Sequence, residues 1–289
     1  MTKEILIILA CVPLYVVNSF CDKIVSSNNQ NKYNFIYNSL KFLICSICIL
    51  PILLLEKASV AGLGSHLCGI SCGIMYAISK TVMLRGYEKT SVAFMTLCHS
   101  SGMILPCIIG HFFWSEKLDA VSLIGIVLAI VSIALLKDTG RTNRHFDSLG
   151  IIFGVIIFLT SAGVMITQKF MGIYFPDQSV GAYNFCAFIV PFLILIVFAK
   201  INKCAKCEKK DSKLVIISAA SSAMSLSIIS FVMTNLSCTV PSVILFPLFN
   251  GLGIIFVCVG SVFAFGEKLT PKKFTGLVLG VLGLCLVNF

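Results

Sequence analysis

The stretch "FAFGEKLTPKKFTGLVLGV", residues 263–281, decides the fold, because residues 112–130 write it once already as "FFWSEKLDAVSLIGIVLAI". Both copies carry Glu-Lys-Leu, at 116–118 and 267–269, directly after an apolar aromatic run. Both then place a glycine, Gly125 or Gly276, at the same distance past the glutamate. The correspondence extends outward. At the same offset "TSVAF" at 90–94 faces "PSVIL" at 241–245, Gly102 faces Gly253, and Cys107 faces Cys258. Earlier in each half the offset shortens, as a longer loop in one half produces. There Lys23 meets Lys169, and Tyr37-Asn38 meets Tyr183-Asn184.

The chain around these copies is 58% hydrophobic and 12% charged over 289 residues. Soluble domains run near 25% charged. With a mean hydropathy of +1.00, this composition describes a polytopic membrane protein. The net charge of +10 does not point to nucleic acid, because Lys and Arg fall in short gaps between apolar runs and form no basic stripe with interleaved aromatics. Such charges orient loops. Most of the 14 cysteines sit inside apolar runs, where a thiol acts as a small hydrophobe. Cys204 and Cys207 form a lone C-x-x-C, which lacks the second half of a zinc site. No metal or cofactor is expected.

A span needs about 20 apolar residues. Ten candidates follow, near 4–21, 34–55, 61–83, 91–114, 120–136, 149–167, 179–199, 214–234, 241–265 and 272–289. The apolar N-terminus has no A-x-A-like cleavage site after it and reads as a retained first span. The polar gap around 137–148 divides the chain into two five-span repeats, 1–140 and 147–289. Five is odd, so the second copy enters the membrane inverted. Inverted repeats are a recurring architecture of secondary transporters, with the solute site near the midplane between the halves. The fold expected is an all-α membrane protein of ten transmembrane helices, two inverted five-helix repeats around a central cavity.

Two five-span halves, each closing on Glu-Lys-Leu and then an apolar helix with an early glycine, resemble the drug/metabolite transporter superfamily. The nearest likeness is to its ten-helix EamA-like family, on Trp114-Ser115-Glu116-Lys117-Leu118 with Gly125 and on Phe265-Gly266-Glu267-Lys268-Leu269 with Gly276. The resemblance implies a basket of ten helices around a cavity, moving small metabolites, amino acids or drugs by alternating access. The family often sets a proline in the fourth and ninth helices where this chain has Met103 and Ile254. Here Pro106 and Pro247 lie elsewhere, which leaves the bend positions open.

Glu116 and Glu267 each stand between one span and the next, where a carboxylate can cap free N–H groups at the positive end of a helix. The glycines at 125, 276, 280 and 283 suit close helix contact. Polar side chains inside spans are candidates for a solute site. Lys41 is the clearest; its ammonium suits an anionic group, or it snorkels to the interface along its stem. His99 and Asn250 occupy matching positions in the two repeats, and a histidine also makes protons a candidate coupling ion. Tyr37 and Asn38 pair with Tyr183 and Asn184, and an amide suits a polar or zwitterionic ligand or serves as helix–helix glue. Asn18 is a weaker candidate. No Asp or Glu falls in the middle of any span as drawn, which disfavours proton-for-cation exchange through a membrane carboxylate.

There is no phosphate-binding Gly-rich loop, which excludes ATP-driven pumping within this chain. His66, His99, His111 and His145 are scattered over different elements, which argues against a membrane enzyme. The expected protein is therefore a plasma-membrane transporter for a small-molecule substrate, amino acids or related zwitterionic or anionic solutes, in the export direction the family implies. The alternative is a multidrug exporter of lipophilic cations. Lys and Arg concentrate after odd-numbered spans, which puts both termini outside by the positive-inside rule; the family implies both inside.

Overall fold

The computed structural model describes residues 2–28, 34–56, 62–89, 92–117, 119–136, 148–201, 209–265 and 270–287. Among them every regular element is an α-helix. In chain order these are α1 (Thr2–Asn28), α2 (Asn34–Leu55), α3 (Leu63–Lys89), α4 (Val92–Ser101), α5 (Ile104–Phe113), α6 (Ala120–Leu136), α7 (Ser148–Tyr174), α8 (Val180–Ile201), α9 (Lys209–Leu236), α10 (Ser242–Phe265) and α11 (Pro271–Val287). Lipid offers no partner for backbone N–H and C=O, so an apolar run closes its hydrogen bonds within itself and becomes a helix.

Among the described residues, five stretches are long and apolar enough to cross a membrane: Lys3–Asp22, Phe35–Leu55, Leu149–Tyr174, Val180–Ile201 and Ser212–Leu236. Shorter apolar helical stretches follow at Cys98–Phe113, Ala120–Ser132, Ser242–Val257 and Phe274–Gly283. Large side chains point outward along them, among them Leu54, Leu55, Phe112, Phe113, Ile217 and Phe263. In water this surface would drive aggregation; in hydrocarbon it is the solvated face. The chain is an integral membrane protein.

Three of the departures from the expected spans bear on the site and its surroundings. The fourth span, expected at 91–114, is broken into α4 and α5. Pro106 explains the break: it has no N–H to give to the carbonyl of Gly102, and its ring crowds that carbonyl. Gly102 O instead accepts from Leu105 N at 3.3 Å, one residue short of an α-helical bond. The bend therefore lies at Gly102 and Met103, the position the family pattern marks, with its proline displaced. Second, α1 continues past residue 21 to Asn28, which brings Asp22 into the helix. Third, α7 continues past residue 167 to Tyr174, so Lys169 is a buried helical residue rather than a loop charge.

The chain divides into two compact units, each drawing on both sides of the 137–148 gap. One comprises Met1–Val16, Arg85–Ile166 and Thr239–Phe289; the other comprises Val17–Leu84 and Thr167–Cys238. In the first unit α6 packs along α11, and α10 packs against α5, α6 and α11. Ser132 on α6 donates to the bare backbone of Gly276 at 2.6 Å, so one glycine of the repeated motif serves helix contact. Tyr15 stands edge-on to Phe249, with ring centroids 5.4 Å apart. In the second unit α2 packs against α8 and α9, around a core of Phe42, Cys45, Ile49, Phe188, Leu195 and Ala223.

Both units stop a helix end in the same way. In the first, Glu116 Oε2 accepts from the backbone N–H of Ser242 at 2.8 Å, in the first turn of α10. Its own N–H donates to Gly110 O at 3.0 Å, which folds the loop back over the end of α5. A side chain at Gly110 would occupy the place of the Glu116 carboxylate. In the second unit Glu56 accepts from Gly181 N at 3.2 Å and from the Ser179 hydroxyl. Ser179 in turn accepts from Ala182 N at 2.7 Å, which completes the cap of α8. Glu116 is thus a cap as expected, but of α10 rather than of the helix that follows it. That helix, α6, is capped by Asp119, which accepts from Ser122 N at 2.9 Å. Glu267 lies outside the described residues.

Candidate solute-binding site

Within the second unit, three helices bring polar side chains to one place. On α1, Asn18 and Asp22 stand one turn apart on a common face. On α2, Tyr37 and Lys41 do the same. Lys41 Nζ donates to Asn18 Oδ1 at 2.7 Å and to the two carboxylate oxygens of Asp22 at 3.0 and 3.2 Å. The Tyr37 hydroxyl donates to Asp22 Oδ1 at 2.6 Å. Ser222, on α9, donates to Asn18 Oδ1 at 2.6 Å. Lys41 Nζ also lies 5.9 Å from the Tyr37 ring centroid, within cation–π range.

Exposure is uneven across this cluster. The Lys41 side chain is 1% exposed and that of Asp22 is 34% exposed. Lys41 has therefore neither snorkelled nor turned a free ammonium to an opening. It is buried and committed to Asp22. A buried charge is tolerated when paired and hydrogen-bonded, and three oxygens meet that need here. The open side of the pair belongs to the carboxylate.

The remaining candidates fall elsewhere. Asn38 is buried on α2. Asn184 is fully buried, takes a hydrogen bond from Ser230 at 2.6 Å and donates to Val180 O at 2.9 Å, so it ties α8 to α9. The Tyr183 hydroxyl lies 3.2 Å from Thr167 Oγ1. The symmetric tyrosines thus each reach the first helix of their own half, Tyr37 to an acid and Tyr183 to a hydroxyl. In the first unit Asn250 donates to Phe246 O, one turn back, at 2.9 Å. The carbonyl of His99, just before the α4–α5 break, accepts from Ser161 on α7 at 2.8 Å. Of the seven expected site residues, Tyr37 and Lys41 meet in the charged cluster, Asn38 is buried on the same helix as they are, and Tyr183 and Asn184 lie on α8 of the same unit. His99 and Asn250 belong to the first unit. Cys204, Cys207 and His145 lie outside the described residues.

Sequence reasoning missed Asp22 and Ser222. The hydropathy window ended at residue 21, so the acid was drawn as the start of a loop. A signal was present: Asn18 and Asp22 are spaced as one helical face, and so are Tyr37 and Lys41. Ser222 gave no signal of its own among the many serines of α9.

The Bacillus subtilis protein "Uncharacterized transporter YxxF" is similar to this chain, with 26% identity over 102 residues, 35% of this chain. That match spans 33% of the relative's length. A solved structure, described as "Crystal structure of protein", has the same fold at TM-score 0.78, with 11% identity, over 99% of this chain and 96% of that one. Identity that low speaks for fold alone. Residues 2–137 match the EamA-like transporter family, and these residues hold Asn18, Asp22, Tyr37 and Lys41 as well as the first Glu-Lys-Leu. The likeness to that family is found over residues 2–137, just under half of the chain.

Proposed function

We propose that the protein is a secondary transporter of small organic solutes, amino acids or related zwitterionic or anionic metabolites. In this reading ten spans form two inverted five-helix repeats, 1–140 and 147–289, that work by alternating access and export the solute across the plasma membrane. The observation that carries it is the Lys41–Asp22 pair with Asn18, Tyr37 and Ser222. Membrane helices hold charge at a cost of about 2.5–3.5 kcal/mol per residue, and a chain that needed only packing would fill this place with apolar side chains at lower cost. The cluster offers a carboxylate with an open side, hydroxyls and an amide, the groups that sort a zwitterion from a hydrocarbon. Protons are the coupling ion in this reading, with His99 as the candidate group that carries them.

The test is counterflow in proteoliposomes loaded with unlabelled alanine, glutamate, lactate or tetraphenylphosphonium, with the matching labelled solute outside. Labelled alanine, glutamate or lactate should accumulate, and collapse of a pH gradient should change the rate. Accumulation of tetraphenylphosphonium alone would replace this reading with export of lipophilic cations. No accumulation of any solute would remove the transporter reading.

A further inference from the structure

The charged cluster has a second lysine. Lys80 lies on α3, and three observations place it beside the Lys41–Asp22 pair. On α3, Ile70, Ile74 and Ile78 are exposed, whereas Cys72 and Ala77 are buried. Cys72, Tyr76 and Lys80 follow one another at intervals of one turn, on the side away from the isoleucines. Tyr76 is fixed by two rings, Phe42 of α2 at 5.7 Å and Phe188 of α8 at 6.4 Å. Phe42 is the neighbour of Lys41, so α3 meets α2 at the level of the pair, and Lys80 is one turn beyond that contact. Close packing of α3 on α8 holds the register: a side chain at Gly69 would run into the Tyr183 carbonyl, and one at Gly73 would lie 2.8 Å from Val190 Cβ. Lys80 in consequence interacts electrostatically with both Asp22 and Lys41.

The two lysines differ in what they hold. Lys41 is buried and spends its donors on Asn18 and Asp22. Lys80 is half-buried and makes no hydrogen bond or ion pair among the described residues. Among the described residues two ammonium groups share one carboxylate, an excess of one positive charge. A cation short of counter-charge inside a membrane is costly, and an anionic group would supply that charge. The groups available to it are the three donors of Lys80.

We infer that Lys80, and not Lys41, is the residue that seats the carboxylate group of the transported solute, while Lys41 holds Asp22 in place. This rests on the transporter reading above and names its anion-binding residue. Lys80 is then a specificity-determining residue: it selects solutes with a carboxylate over their amides, and its removal breaks no hydrogen bond or ion pair among the described residues.

The experiment is thermal unfolding of the purified full chain in detergent, alone and with alanine, lactate, alaninamide or lactamide. Each is run on wild type, Lys80→Gln, Lys80→Arg and Lys41→Gln. Without solute, Lys80→Gln should melt within a few degrees of wild type or above it, and Lys41→Gln should melt clearly lower because it strands Asp22. The carboxylates should raise the wild-type midpoint and the amides should not, since a ligand bound to the native state alone stabilises it. The shift should vanish in Lys80→Gln and persist in Lys80→Arg. A carboxylate shift that survives in Lys80→Gln would overturn the inference. So would a solute-free midpoint for Lys80→Gln as low as that of Lys41→Gln, which would make Lys80 a structural partner of Asp22. Equal shifts from the amides and the carboxylates would overturn the role of Lys80 but leave the transporter reading standing. Failure of all four solutes to shift wild type, together with absent counterflow, would take the transporter reading down with it.

Discussion

Glu116 Oε2 lies 2.8 Å from the backbone nitrogen of Ser242, so a carboxylate in the loop after α5 closes the positive end of α10, far along the chain. A helix start carries about half a positive charge and free N–H groups. Glu116→Ala should lower stability by about 1–2 kcal/mol, and Glu116→Gln by less, since the amide oxygen still accepts. Gly110→Ala should lower it as well, by displacing the same carboxylate. Glu56→Ala should do in the second unit what Glu116→Ala does in the first. Unfolding midpoints of the purified variants check all four.

The Lys41–Asp22 pair calls for a double-mutant cycle. Asp22→Asn should destabilise by about 3–5 kcal/mol, because it leaves the buried Lys41 ammonium without its counterpart, and Lys41→Met by less, because the Asp22 carboxylate is partly exposed. The double variant should lose much less than the sum, because no unpaired charge remains from the pair. Additive losses would show that the two groups do not depend on each other.

Ser115 has φ +53°, in the left-handed region where a side chain costs about 1–2 kcal/mol. Its counterpart in the second copy of the motif is Gly266. Ser115→Gly should stabilise by about 1 kcal/mol, and Ser115→Val should destabilise. Paired unfolding curves of the two variants would reveal opposite signs.

Asp119 sits outside the membrane helices and caps α6. Hydrogen bonds from the Ser122 hydroxyl and then from its N–H hold the carboxyl below its usual range. The cap contributes above the ordinary aspartate pKa of about 3.9 and is lost as pH falls through the lower folded value. Amide exchange at Ser122, followed downward in pH, should quicken there relative to the interior of α6. Asp119→Asn should abolish that acid-dependent step.

The apolar runs announced helices and the membrane, because in lipid a long hydrophobic stretch has few alternatives. The Glu-Lys-Leu motif was legible as a helix-end device for the same local reason, yet its target was not. Ser242 is remote in sequence, and no pattern in a single chain names which free helix end a carboxylate will meet. Lys41 stood out as a charge within an apolar run. Asp22 did not, since hydropathy averages over a window and loses a polar residue at its edge. The break at Gly102 was hidden differently: Pro106 is visible, but its effect falls one turn earlier, on the carbonyl it cannot serve.

The pairing of Asp22 with Lys41 also bears on how the chain is made. The two residues belong to the first and second helices, neighbours in synthesis. While α1 enters the bilayer alone, its acid has no counter-charge. The lysine arrives with the next helix to emerge. The two helices therefore gain by entering together as a hairpin, with the acid and the lysine neutralising each other, so that an early step of biogenesis already forms the ion pair of the mature protein.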